Sequence, residues 1–216
     1  MAGIVLFDLD NTLIDRDQAF RQWARQFLAE RRLDPTELAW VLLVDADGKA
    51  SRHAFFGALR ARFGLPESED ALVAAYQEVV PGLYRPEPPV LAALGSLRSA
   101  GWRTAVVTNG PGTQEDKIRS AGLAAMIDAS CISGLVGVAK PERPIFEEAA
   151  RRCGAPLKGW MVGDTPEIDV LGGITAGLRT IWMARGRSWS IAEYAPDFIV
   201  KDVVQATTVI LDSDPT

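Results

Sequence analysis

At 216 residues and 48% hydrophobic content, the chain is long enough to bury one substantial core and to carry a small second lobe. A net charge of −5 with scattered basic residues argues against a nucleic-acid face, and no apolar run approaches the ~20 residues a membrane helix needs. Cys131 and Cys153 are too few for a disulfide framework, and the first strand begins within a few residues of Met1, leaving no room for a secretory signal; a reducing cytoplasm is the expected setting.

The first predicted element is an apolar strand near 3–8. It runs into Asp8-Leu9-Asp10-Asn11-Thr12-Leu13. If the strand stays extended through Asp10, period-two alternation sends the Asp8 and Asp10 side chains the same way. Two converging carboxylates repel, so ionising both at neutral pH calls for a cation, a strong donor set or a shared proton.

From about 15 to 87 the pattern changes to helical spacing. Apolar residues recur at Phe20, Trp23, Ala24, Phe27 and Leu28, then at Leu38, Val41 and Leu42, then at Phe55, Phe56, Leu59 and Phe63, and last at Leu72, Ala75, Tyr76 and Val79. Four amphipathic helices in a row predict a small bundle, inserted between Leu13 and the proline-rich Arg85–Pro89. The expected domains are therefore 1–14 with 88–216, and the insert 15–87. Asp47-Gly48-Lys49 reads as a solvated turn between bundle helices, and most of Arg16, Arg21, Arg52, Arg60 and Arg62 as solvated helix faces. Arg52, near that turn, is a candidate contact for a polar substrate. His53, the sole histidine, has no evident catalytic partner.

Beyond the insert, strand and helix alternate. Strands are predicted near 103–108, 127–132, 159–163, 179–183 and 197–200, and helices near 88–99, 113–121, 142–152, 167–176 and 203–211. Right-handed crossovers then give an α/β fold: a Rossmann-like, mostly parallel sheet with helices on both faces, plus the inserted helical bundle. Ligands of such sheets bind at the carboxyl ends of the strands.

Three further segments fall at those ends. Val106-Val107-Thr108-Asn109-Gly110 closes a strand with a hydroxyl and an amide, with Gly110 and Gly112 allowing a close turn into the next helix. Lys140 precedes Pro141 and a helical run. Gly163-Asp164-Thr165-Pro166-Glu167-Ile168-Asp169 follows another strand. With Asp8 and Asp10, these segments resemble, in order, the four motifs of the haloacid dehalogenase-like hydrolase superfamily, in the branch with a helical cap inserted after the first motif. Each motif alone is a weak signal; their joint occurrence in this order is specific.

The resemblance implies a magnesium-dependent phosphatase acting on a small phosphorylated metabolite. Asp8 is then the nucleophile, Asp10 the general acid and base, and Thr108 and Lys140 the groups on the phosphoryl oxygens. The metal set would be Asp8, Asp164, the Asp10 backbone carbonyl and, in support, Asp169, which could instead orient Lys140 or favour a helix N-terminus. Asn109 is expected either to contact phosphate or to cap a helix, and Thr12 to hold the first loop with its hydroxyl. Dehalogenase members lack the second aspartate, so Asp10 favours phosphoryl chemistry. Phosphotransferase or mutase activity, 2-haloacid dehalogenation and a non-catalytic scaffold stay open, as do monomer and homodimer.

Overall fold

Contacts along the chain divide it into two units, Met1–Ile14 with Arg85–Thr216, and Asp15–Tyr84. The computed structural model describes residues 3–85 and 87–213, so Pro86 of the Arg85–Pro89 connector and residues 1–2 and 214–216 lie outside the described residues.

The Asp15–Tyr84 unit is helical. Helix α1 (Arg16–Glu30) starts where the Asp15 carboxylate accepts the Gln18 N–H at 2.9 Å. Helix α2 spans Leu38–Asp45. Helix α3 (Arg52–Phe63) is capped by the Ser51 hydroxyl and ends at Gly64, whose φ of 63° suits a residue without Cβ. Helix α4 (Glu69–Val79) is capped by Ser68. The aromatic residues expected at helical spacing form its core: the Trp23 ring lies 4.9 Å from Tyr76 and 5.0 Å from Phe27, and Phe20 lies 5.6 Å from Phe55.

One expectation for this unit changes. Arg16 is not a solvated helix residue: it is buried and pairs with buried Asp45 at 2.5 Å. The Asp47-Gly48-Lys49 turn is exposed, as expected, with the Gly48 N–H donating to Asp45 Oδ2 at 2.9 Å.

The other unit is built on a sheet. Its strands are β1 (Ile4–Phe7), β2 (Arg103–Thr108), β3 (Ala129–Ile132), β4 (Gly159–Gly163), β5 (Arg179–Met183) and β6 (Phe198–Val200), in the order β3-β2-β1-β4-β5-β6. Every ladder among the described residues is parallel. Around the sheet stand α5 (Pro88–Ser99), α6 (Gln114–Ser120), the single turn α7 (Ser133–Val136), α8 (Arg143–Arg152), α9 (Leu171–Ala176) and α10 (Val203–Ser213). The helix predicted at 167–176 begins as a π-helical turn, Pro166–Val170, before continuing as α9.

Alternation decides which side chains meet which helices. Ile4, Leu6, Ala105, Val107, Cys131 and Met161 pack against Ile145, Phe146 and Ala149 of α8. On other strand faces α5 packs on β2 and against α10. Cys131 and Cys153 are buried free thiols. Among the described residues no helix is long and apolar enough to cross a membrane. Strand order reverses beside β1, which places a crevice at the carboxyl ends of β1, β2 and β4.

Candidate active site

Phe7 pairs with both Val106 and Val162, so β1, β2 and β4 end close to one another. The next residue, Asp8, is held at the switch point by its N–H on the Val162 carbonyl at 2.9 Å. The strand does not continue to Asp10 as the alternation argument assumed. The chain instead coils, with Asn11 at φ 65° and the Leu9 carbonyl accepting from Thr12, Leu13 and Ile14 at 3.3, 3.0 and 3.2 Å. Backbone bonds therefore hold this loop. Thr12, expected to hold it by its hydroxyl, has a buried Oγ1 with no hydrogen-bond partner among the described residues.

Asp8 and Asp169 share one ammonium. Lys140 Nζ donates to Asp8 Oδ1 and to Asp169 Oδ1, each at 2.7 Å, and all three side chains are buried. Asp169 Oδ2 also accepts the Thr165 N–H at 3.0 Å, so the π-helical turn fixes that carboxylate against Lys140. A Cβ at Gly163 would overlap the Asp169 carboxyl group, which explains a glycine at the end of β4. Of the alternatives weighed for Asp169, orienting Lys140 is the one these contacts display.

Lys140 is itself clamped. Asn109 Oδ1 accepts the Lys140 N–H at 2.9 Å and Asn109 Nδ2 donates to the Lys140 carbonyl at 2.8 Å. Asn109 is not the cap of the next helix, a place taken by Thr113, and one N–H of its Nδ2 carries no bond among the described residues. Its carboxamide ties the end of β2 to the lysine loop.

Asp164 completes the acidic group. Oxygens of Asp8, Asp164 and Asp169 lie within 4.8 Å of one another. Trp182 Nε1 donates to the Asp164 carbonyl at 2.9 Å, and Arg187 Nη2 donates to the same carbonyl at 2.6 Å and to Oδ2 at 3.1 Å. Neither Trp182 nor Arg187 carries a sequence signal for this task, since they reach the site only because β5 lies beside β4.

Burial dominates the electrostatics. It pushes the Asp8 carboxyl up to about 7, against the pull of Lys140, with Asp169 and Asp10 adding repulsion. Asp164 is raised to about 6 by burial and by the Asp8 charge, with Arg187 opposing, and Asp169 is raised by burial although Lys140 opposes it. For Lys140, burial works against the charged form, but Asp169 and Asp8 outweigh it and hold the ammonium above the usual lysine range. Three carboxylates set against one buried ammonium and the Arg187 guanidinium form a hard-oxygen set with excess negative charge, and that donor chemistry fits a divalent cation such as magnesium.

Asp10 has a different environment. Lys117 Nζ donates to its Oδ1 at 2.9 Å and to its Oδ2 at 2.7 Å, and Gln114 Nε2 donates to Oδ2 at 3.1 Å. Gln114 Nε2 also lies 2.8 Å from Thr108 Oγ1. Sequence reasoning missed Gln114 and Lys117. Their spacing, i and i+3 just after the Thr108 segment, would have placed them on one helix face had they been considered.

The remaining candidate, Arg52, lies in the helical unit. Its Nη2 donates to Asp45 Oδ1 at 2.6 Å and its guanidinium carbon stands 5.0 Å from the Phe55 ring centre. His53 pairs with Asp70 at 3.0 Å on the surface.

Residues 3–177 match the family model of the haloacid dehalogenase-like hydrolases. The chain belongs to this family. Among curated members, it is 36% identical to phosphoserine phosphatase of Thermus thermophilus over 158 residues, covering 72% of this chain and 63% of that enzyme. Pyrimidine 5'-nucleotidase YjjG of Escherichia coli is 31% identical, across 83% of this chain and 84% of that one. Among solved structures, magnesium-bound YfnB of Bacillus subtilis superposes with a TM-score of 0.78 at 22% identity, covering 96% and 98% of the two chains. A 2-haloacid dehalogenase of Pseudomonas syringae does so with 0.66 at 27%, covering 99% and 100%. The haloacid dehalogenase-like fold is thus shared by members of different chemistry, and the site must choose between them.

Proposed function

We propose that the chain is a magnesium-dependent phosphatase that hydrolyses a small phosphorylated metabolite through an aspartyl phosphate on Asp8. The carrying observation is the pairing of two carboxylates with separate duties: Asp8 sits on Lys140 within the acidic cluster, and Asp10, two residues on, is held apart by Lys117 and Gln114. A dehalogenase has no leaving oxygen to protonate and so no use for a second carboxylate secured in this way.

In the proposed reaction an Asp8 oxygen bonds to phosphorus as the ester oxygen departs with a proton from Asp10. Water then attacks the aspartyl phosphate, gives its proton to Asp10, and the bond between Asp8 and phosphorus breaks. Lys140 and the Thr108 hydroxyl bind the phosphoryl oxygens, where charge is spread in the transition state. Asp8, Asp164 and the Asp10 carbonyl would hold the cation, with Asp169 in support. When bound, it would offset repulsion between the carboxylate and the phosphate dianion. The helical unit would serve as the cap. Within it Arg52 shares the Asp45 carboxylate with Arg16, and its buried Nη1 has no hydrogen-bond partner among the described residues, which supports Arg52 as a contact for a polar substrate group.

The reading is tested by phosphate release from an aryl phosphate with magnesium present. Asp8→Asn is expected to abolish it and Asp10→Asn nearly so. Halide release from a 2-haloacid without phosphate release from any ester would replace this reading with dehalogenation.

A further inference from the structure

Asp10 cannot exchange protons with a substrate unless one of its lone pairs is available and aimed. Its two oxygens offer about four acceptor positions. Among the described residues Lys117 occupies one on Oδ1 and one on Oδ2, and Gln114 occupies the second on Oδ2. One position remains, on Oδ1.

Gln114 constrains a second group at the same time. Its Nε2 carries two N–H bonds, and the two acceptors within reach are Asp10 Oδ2 at 3.1 Å and Thr108 Oγ1 at 2.8 Å. Because the Thr108 oxygen accepts from Gln114, its own hydrogen must point elsewhere, available to a phosphoryl oxygen. The reverse orientation of the amide would set its carbonyl against an acceptor-only carboxylate, so the contacts themselves fix which atom is nitrogen. Gln114 is almost fully buried, and a Cβ on Gly110 would stand only 2.9 Å from its Cγ, so the turn after β2 packs on this side chain.

We propose that Gln114 and Lys117 are the positioning residues for both proton transfers: together they leave Asp10 a single usable lone pair on Oδ1, and Gln114 turns the Thr108 hydroxyl hydrogen toward the phosphate. The inference rests on the phosphatase reading and deepens it. Both residues act through Asp10 and Thr108 and need not touch substrate.

The test compares wild type with Lys117→Met, Gln114→Leu and the isosteric Gln114→Glu, on one aryl phosphate with a good leaving group and one alkyl phosphate with a poor one. The ratio kcat/KM reports the first phosphoryl transfer, where only the poor leaving group depends strongly on the proton from Asp10. Misplacing that proton is expected to lower kcat/KM on the alkyl ester by about 10²-fold and on the aryl ester by less than about tenfold. The second transfer, common to both, also slows. With the aryl ester the variants should therefore show a burst of released phenol matching the enzyme concentration, which wild type lacks. Lys117→Arg should recover most of the loss. Equal losses on both esters with no burst, or variants indistinguishable from wild type, would overturn the inference while leaving wild-type phosphatase activity intact. A wild type inactive on every ester would instead bring down the phosphatase reading and the inference with it.

Discussion

Two buried ion groups, one in each unit, differ in how far their charges are matched. In the α/β unit Asp8 and Asp169 share one buried ammonium, Lys140, and Asp164 beside them pairs with Arg187, so three carboxylates face two cations. In the helical unit Arg16 and Arg52 share one buried carboxylate, Asp45, and Arg16 also meets Asp17 at 3.5 Å, so two cations face two carboxylates. Burial makes an uncompensated charge costly, so each group depends on its central residue, and the acidic group retains affinity for a cation.

Removing either central residue breaks the comparison. Lys140→Met should lower kcat on an aryl phosphate by about 10³-fold, because it deletes a donor to the phosphoryl oxygens and leaves Asp8 and Asp169 facing each other. Steady-state assays at saturating magnesium measure this, and a loss below tenfold would mean that Lys140 only stabilises the fold. Asp45→Ala should destabilise the protein by about 3–5 kcal/mol by removing the buried carboxylate that two guanidiniums share. Denaturant unfolding reads this out. Asp70→Ala, which removes only the exposed partner of His53, should leave the transition unmoved.

A smaller effect sharpens the acidic side. Asp164 is raised to about 6 and Asp8 to about 7, mainly by burial, so without metal the folded state binds more protons than the unfolded chain between the ordinary carboxylate range and those values. Stability of the metal-free protein then falls as pH rises through about 6 to 7, the usual direction for a raised carboxyl. Magnesium should reverse this, raising the unfolding free energy at pH 8 by about 2–3 kcal/mol at a hundredfold excess over its Kd, and by much less at pH 5, where protons compete for the same oxygens. An increment independent of pH would place the ion elsewhere.

Much of this arrangement was legible without coordinates. Each predicted strand of the α/β unit formed within two residues of its expected limits, because short apolar runs bounded by glycine and polar turns leave few alternatives. The helical unit closes at Tyr84, against an expected boundary at residue 87, since Tyr84 is itself buried. Errors gathered where one side chain takes a partner far away in sequence. Nothing local to Asn109 announces its grip on the Lys140 peptide 31 residues on, and nothing local to Gln114 and Lys117 announces that they hold Asp10 from more than a hundred residues away. A carboxamide or a lysine on a helix has many ordinary uses, and nothing local selects among them.

By itself, the sequence determined the alternation of elements, the positions of Asp8, Thr108 and Asp164 at strand ends and of Lys140 before a helix, and the family those positions mark. Periodicity and motif order are properties of neighbouring residues and need no third dimension. Only the tertiary structure decided that Asp8 and Asp10 part company after β1, that Asp169 and Asn109 serve Lys140, and that Gln114 joins Asp10 to Thr108. Those outcomes depend on which buried donor lies nearest which acceptor, and in a close-packed interior that is fixed by the crossing of distant segments at the edge of the sheet.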